Sequence, residues 1–229
     1  IGGILSYSNS NYANVTLDGC SNSGDIEIKG SCATANGAML NIGGAIGYYT
    51  DGDTTTTENQ HITFTNGFTN SGNISVDVNV NGKQSNIGGL LGYLQDHIVT
   101  LSGNVVNTGA INIGGENEYA NLSVGGLIGD TRNSTFTFNN ASSNSGTITI
   151  DVVKAGVVYL GGLVADCATK VKLTVAEFTN SAPISLSGTT LGNIRFGGVI
   201  GYIYSAGSKL TCNGNVTNSG ALSLSGKGD

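Results

Sequence analysis

Acidic side chains are the first candidates for chemistry in this sequence, because carboxylates bind metal ions and transfer protons. Asp51, Asp53 and Glu58 lie in the segment DGDTTTTE and offer three oxygen ligands to Ca²⁺. The segment lacks a complete calcium-loop pattern, and Asp-Gly-Asp is also common in turns. We therefore treat these residues as a weak calcium candidate and predict neither a metal site nor a cofactor.

Hydrolysis of polysaccharides requires a pair of carboxylates that flank the bond to be broken. Asp25, Asp77 and Asp151 fall near equivalent positions of strand-like segments, so they are candidates for an acidic stripe. The sequence contains no nucleophile elbow and no phosphate-binding loop. We predict no catalytic residues, and a β-helix enzyme that degrades polysaccharides stays the third hypothesis for function.

The four cysteines have no spacing typical of a zinc site, which leaves disulfides and free thiols. We predict the pairs Cys20–Cys32 and Cys167–Cys212, one near each end of the chain. Such bridges are typical of extracellular proteins. Buried free thiols are the alternative.

Six asparagines stand in Asn-X-Ser/Thr motifs, which accept N-linked glycans in secreted proteins. They are Asn14, Asn73, Asn121, Asn133, Asn140 and Asn215. A chain this rich in Asn, Ser and Thr contains about as many by chance. Glycosylation at these residues is therefore permitted rather than indicated.

Glycine dominates the composition, with 37 residues against one Pro and no Trp. One Pro excludes a collagen triple helix, and the hydrophobic fraction of 38% predicts a folded chain. The net charge of −6, with nine Lys and Arg residues, disfavours nucleic acid as a partner. No apolar run is long enough for membrane insertion.

Two markers divide the sequence into six repeats. Gly-Gly pairs begin at Gly2, Gly43, Gly88, Gly125, Gly161 and Gly197, with spacings of 36 to 45 residues. An Asn followed by Ser or Thr recurs at Asn22, Asn70, Asn107, Asn144, Asn180 and Asn218. We interpret residues 1–229 as a single domain whose repeats begin near residues 1, 42, 87, 124, 160 and 196.

Apolar residues alternate with polar ones before and after each repeated Asn, as in Ile148, Ile150 and Val152, and this pattern predicts strands. We predict an all-β fold, a β-solenoid similar to a parallel β-helix, in which each coil has three strands and the third carries the Gly pair. The repeated Asn predicts an internal amide ladder at a corner. Ala182 and Pro183 follow it in the fifth repeat and predict a locally different corner there.

The motif Gly-Gly-apolar-apolar-Gly resembles the GLUG repeat of large bacterial surface and secreted proteins. The matching segments are IGGAIGY (42–48), IGGLLGY (87–93), VGGLIGD (124–130) and FGGVIGY (196–202), whereas IGGILSY (1–7) and LGGLVAD (160–166) lose the last Gly. The resemblance implies a surface-associated structural or adhesive repeat, located outside the cell or on its surface. It brings no catalytic residues with it.

The ends of the chain carry the prediction of function, because open solenoid edges pair with further strands. The sequence is phased to continue itself, so Ile1, Leu222 and Leu224 are expected to contact a neighbouring coil. That neighbour is either a second copy, stacked head-to-tail into a filament or stalk, or a covalent continuation of the array.

The main alternative is an adhesin that binds glycans on an exposed face. Tyr48, Tyr49, Tyr93 and Tyr202 could stack on sugar rings. The other interpretation of these tyrosines is that they pack beside the Gly-Gly segment.

Overall fold

The fold is given by a computed structural model, which describes residues 1–9, 14–31, 39–50, 60–79, 84–115 and 118–228. Every regular element in these residues is a strand. In chain order the strands are β1 (Leu5–Asn9), β2 (Val15–Asn22), β3 (Ile26–Ser31), β4 (Leu40–Gly43), β5 (Ile46–Thr50), β6 (Gln60–Asn70), β7 (Ile74–Asn79), β8 (Ser85–Gly88), β9 (Leu91–Gln95), β10 (His97–Leu101), β11 (Val105–Asn107), β12 (Ile111–Ile113), β13 (Glu118–Gly125), β14 (Ile128–Arg132), β15 (Thr135–Asn144), β16 (Ile148–Gly161), β17 (Val164–Ala168), β18 (Lys172–Asn180), β19 (Ile184–Gly197), β20 (Ile200–Ile203), β21 (Lys209–Cys212), β22 (Val216–Asn218) and β23 (Leu222–Gly228).

These strands form three parallel sheets, one on each face of a β-solenoid of about five turns. The first sheet has the order β1-β5-β9-β14-β17-β20. The second contains β2, β6, β10, β11, β15, β18, β21 and β22, and the third contains the remaining nine strands. Strands one repeat apart pair in register, so like residues of the repeats form columns that run along the solenoid axis.

The apolar residues of the alternating pattern form two separate cores. One core lies between the first and second sheets and contains the rings of Phe64, Phe136 and Phe178. The other lies inside the third sheet, where residues from both ends of β16, such as Ile148 and Leu160, belong to one cluster. The third sheet is therefore folded on itself, and each coil passes through two apolar lobes.

The Gly-Gly pair lies at a corner of the coil rather than inside the third strand, where the sequence pattern places it. The first Gly ends a strand of the third sheet, and a strand of the first sheet begins three residues later, as from Gly43 to Ile46. A Cβ atom on Gly43 would overlap the carbonyl oxygen of Ile46 and would lie 2.8 Å from that of Leu90 in the next coil. The backbone turns too tightly here for any side chain.

Candidate functional site

The repeated asparagines form a continuous ladder of amide hydrogen bonds along the solenoid axis. Asn22 Nδ2 donates to Asn70 Oδ1 at 2.8 Å, and the same bond recurs at each step up to the donation from Asn180 to Asn218 at 2.7 Å. Asn70, Asn107, Asn144 and Asn180 are fully buried, whereas Asn218 on the last rung is exposed. Every bond points the same way, so the ladder has a direction.

The second amide hydrogen of each ladder residue fixes the corner that follows it. Nδ2 donates to the carbonyl oxygen two residues further on, at 2.9–3.0 Å. The acceptors are Gly24, Gly72, Gly109, Gly146, Ala182 and Gly220. Each buried amide thereby satisfies a turn carbonyl that would otherwise lack a partner in the apolar interior.

The corner of the fifth coil differs slightly from the others, in agreement with its different sequence. Asn180 keeps its bond to the Ala182 carbonyl at 3.0 Å. The backbone bond from Ser181 to Asn144 is 3.0 Å, whereas the bond from Ser145 to Asn107 is 2.8 Å. The extra methyl group of Ala182 accounts for this looser fit, because a Cβ at the equivalent Gly146 would overlap the coil below.

The asparagine corner and the glycine corner touch each other and form the waist between the two lobes. A Cβ on Gly44 would lie 2.7 Å from Cγ of Asn70, and one on Gly126 would lie 2.6 Å from Cγ of Asn144. The second Gly of every pair has the same close approach to its ladder residue. Gly is required because the amide fills the space that a side chain would need.

A second column runs along the first sheet, and we call it the tyrosine–carboxylate column. It consists of Tyr7, Tyr48, Tyr93, Asp130, Asp166 and Tyr202, each paired in register with the next. The rings of Tyr7, Tyr48 and Tyr93 are stacked, with centroids 5.1 and 5.2 Å apart. Both faces of the Tyr48 ring are therefore covered by other tyrosines rather than open to a sugar.

Asp130 is the best-bonded carboxylate in this column. It is fully buried, and its Oδ2 accepts from Arg132 Nη2 at 3.0 Å and from Gln84 Nε2 at 2.8 Å. Burial raises the pKa of this carboxyl, whereas Arg132 and Gln84 lower it. The guanidinium of Arg132 also lies 5.5 Å from the centre of the Tyr93 ring, so the ring stack continues into the charged pair.

Asp166 lies on the next rung and has no comparable ion pair. Its side chain is only 6% exposed, and burial together with the charge of Asp130 raises its pKa to about 7. The nearby Arg195 lies over the rings of Tyr159 and Tyr202, at 5.4 and 4.3 Å from their centres. Both carboxylates are therefore buried within the described part of the chain.

The remaining candidates from the sequence are dispersed. Tyr49 is buried in the first core, edge-on to His97, and does not belong to a surface for glycans. Asp77 and Asp151 are exposed and lie in one column with Gly114 between them, whereas Asp25 lies outside that column. Asp51, Asp53 and Glu58 lie outside the described residues.

The cysteine pairing is not found among the described residues. Cys167 is a free thiol in the first sheet, opposite Ile203, and Cys212 is a free thiol in the second sheet, opposite Val175. The two thiols belong to different sheets, so the predicted Cys167–Cys212 bridge is wrong. Cys20 is also free, and its predicted partner Cys32 lies outside the described residues.

Five of the six glycosylation motifs present an exposed Asn, and Asn121 is half-buried. Several of these side chains already bind a neighbouring coil. The oxygen of Asn73 accepts from the backbone of Ala110 at 3.0 Å, and that of Asn140 accepts from Gly103 at 2.8 Å. Accessibility therefore permits glycans, whereas the hydrogen bonds give most of these residues a structural role.

Comparison with protein-family models, with curated proteins and with solved structures finds no match. The described ranges contain no cluster of three or more His, Cys, Asp or Glu residues that could hold a metal ion. Among the same residues, no helix is long and apolar enough to cross a membrane.

The sequence contains a signal for the carboxylate pair that the prediction missed. Asp130 and Asp166 stand at the end of VGGLIGD and LGGLVAD, where the related segments end in Tyr48, Tyr93 or Tyr202. Alignment of the repeats on their Gly pairs places two carboxylates on consecutive rungs of one column. Single acidic residues that are far apart in sequence do not reveal this contact.

Proposed function

We propose that this protein is a structural subunit of a filament or stalk, in which the last rung of one copy stacks on the first rung of the next. The direction of the asparagine ladder carries the proposal. Asn218 accepts through Oδ1 from Asn180, which leaves one Nδ2 hydrogen directed beyond the last rung. Asn22 donates towards Asn70, so its Oδ1 is the acceptor at the opposite end.

This polarity favours contact between unlike ends. Two last rungs would face donor against donor, and two first rungs would face acceptor against acceptor. A last rung on a first rung instead continues the ladder with one more amide bond. Such a head-to-tail contact does not close on itself and produces an open filament.

Other columns match in the same way at the two ends. A column of six threonines on the second sheet begins at Thr16 and ends at Thr211. The matching pairs of last and first rung are Asn218 and Asn22, Thr211 and Thr16, Tyr202 and Tyr7, and Leu222 and Ile26. A second copy would therefore extend each column with residues of its own type.

Apolar side chains at both ends supply the driving force for this contact. Ile1 is 48% exposed, and Leu222 and Leu224 are 44% and 55% exposed, although Leu222 continues a column that is buried in the preceding coils. Burial of such side chains favours association, because it removes apolar surface from water. Covalent neighbouring repeats of a longer chain would cover the same edges. The proposed extracellular or cell-surface location rests on the GLUG resemblance alone.

The test compares two Lys substitutions of exposed apolar residues. Leu224→Lys places a charge on the last rung, whereas Val153→Lys changes a residue of 38% exposure on an internal coil. Electron microscopy and sedimentation velocity should show concentration-dependent linear chains for the wild type and Val153→Lys, and single subunits for Leu224→Lys. Single wild-type subunits at high concentration would contradict the proposal, as would association that Val153→Lys abolishes and Leu224→Lys does not.

A further inference from the structure

We propose that Asp130 and Asp166 form a proton-binding pair that weakens the stacking of the fourth coil on the fifth as the pH rises. This inference is independent of the filament proposal, because it concerns two internal rungs. It rests first on register, since the two residues are direct partners of parallel strands β14 and β17. Adjacent parallel strands lie about 4.8 Å apart, so two ionised carboxylates here would repel strongly.

The two carboxylates also have unused acceptor atoms in a dry environment. Asp130 is fully buried and Asp166 is 6% exposed. The Oδ1 atom of each has no hydrogen-bond partner within the described residues. Asp130 satisfies its other oxygen with Arg132 and Gln84, so it is the better placed of the two to stay ionised. A proton on Asp166 removes the repulsion between neighbouring rungs.

The charged and titratable groups around Asp166 do not compensate for the negative charge that the loss of this proton would leave. From the rung below, Asp130 opposes its ionisation, and the Arg132 guanidinium is held by Asp130 at 3.0 Å. From the third sheet, Arg195 favours ionisation, but it lies over two tyrosine rings. The remaining neighbours are Tyr159, Tyr202 and Cys167, and burial raises the pKa of the Tyr159 hydroxyl and of the Cys167 thiol.

The sign of the effect follows from the difference between the folded and unfolded states. The pKa of Asp166 is about 7 in the folded protein, against an ordinary value of 3.8, so the folded state binds the proton more tightly. The bound proton contributes fully to the stability of the folded state below about pH 4. This contribution decreases between pH 4 and 7 and changes little above pH 7. Over this window the folding equilibrium constant should decrease by about a thousandfold through this site.

The first experiment measures unfolding by urea at several pH values between 4 and 8. Asp166→Asn keeps the shape of the side chain but cannot ionise, so the stability of this variant should rise relative to the wild type as the pH increases. Asp151→Asn removes an exposed carboxylate that binds Ser187, and its pH profile should follow the wild type. Parallel profiles for Asp166→Asn and the wild type would overturn the proposal.

The second experiment uses the unmodified chain and does not depend on the folding of a variant. Carbon-13 NMR of labelled aspartate carboxyl groups should show one residue that titrates with a midpoint near pH 7. In Asp130→Asn this midpoint should decrease, because the opposing charge is removed and Arg132 is released towards Asp166. Titration of every aspartate below about pH 5 in the wild type would contradict the binding of a proton by Asp166 at neutral pH.

Discussion

The asparagine ladder is tested most directly by Asn107→Asp, which replaces a side-chain NH2 group with an oxygen in the middle of the solenoid. Asn107 Nδ2 donates to Asn144 Oδ1 at 2.8 Å and to the Gly109 carbonyl at 3.0 Å. Its Oδ1 accepts from Asn70 Nδ2 at 2.7 Å. An aspartate keeps the acceptor but loses both donors, and it directs a carboxylate oxygen at two other oxygens.

The size of the effect follows from this count of bonds. Two buried acceptors lose their partner, and each such loss costs about 1–3 kcal/mol. The substitution should therefore lower the free energy of unfolding by about 2–6 kcal/mol at neutral pH. Domains of this kind are stable by only about 5–15 kcal/mol, so the loss is a large share of the total stability.

Urea unfolding followed by circular dichroism measures this loss, with Asn112→Asp as the matched control. Asn112 is exposed on the outer face of the same coil, so the identical substitution should change stability by less than about 0.5 kcal/mol. Acid should partly restore Asn107→Asp relative to the wild type, because a protonated carboxyl can donate one of the lost bonds. A difference of less than about 1 kcal/mol between the two variants would refute the structural role of the ladder.

Two further predictions concern the waist and the thiols. Gly126→Ala places a Cβ 2.6 Å from Cγ of Asn144 and should lower stability by at least about 2 kcal/mol in thermal unfolding. Gly114→Ala is the control and should be nearly neutral, because no atom lies within 4 Å of the added Cβ. Peptide mapping after brief alkylation of the folded protein should find Cys212 modified and Cys167 intact, because Cys167 is only 1% exposed. Rapid alkylation of Cys167, or equal effects of the two Gly substitutions, would contradict these contacts.

The sequence predicts the features of this fold that depend on the repeat period. Stacking places residues one period apart next to each other, so an Asn that recurs in every coil must contact the equivalent Asn of the neighbouring coils. The same rule explains the error in the cysteine pairing. Cys167 lies one period from Ile203, and Cys212 lies one period from Val175, so neither cysteine meets the other.

The features that were not predicted depend on how one coil turns within its own plane. A tight corner requires Gly, and Gly inside a strand can mark a close approach of another backbone, so the pattern around Gly43 and Ile46 fits both arrangements. The contact between Asn70 and Gly44 joins two corners of the same coil that are 26 residues apart in sequence, and no periodicity reveals it. The Asp130–Asp166 pair depends on register at a column where the other four rungs carry Tyr.

The contact at the waist explains why the repeated Asn and the Gly pair recur together with one period. Each coil crosses between the two lobes twice, once at its Asn and once at its Gly pair, and the crossings touch. The fifth coil shows how much change this arrangement accepts, since Ala165 replaces the last Gly of the motif and Ala182 replaces the Gly after the ladder. Gly162 and Asn180 nevertheless stay in contact in that coil. The cores on either side accept side chains of different shape along one column, as in Phe64, Leu101 and Phe138. At the waist, the amide fits only where the facing residue has no side chain.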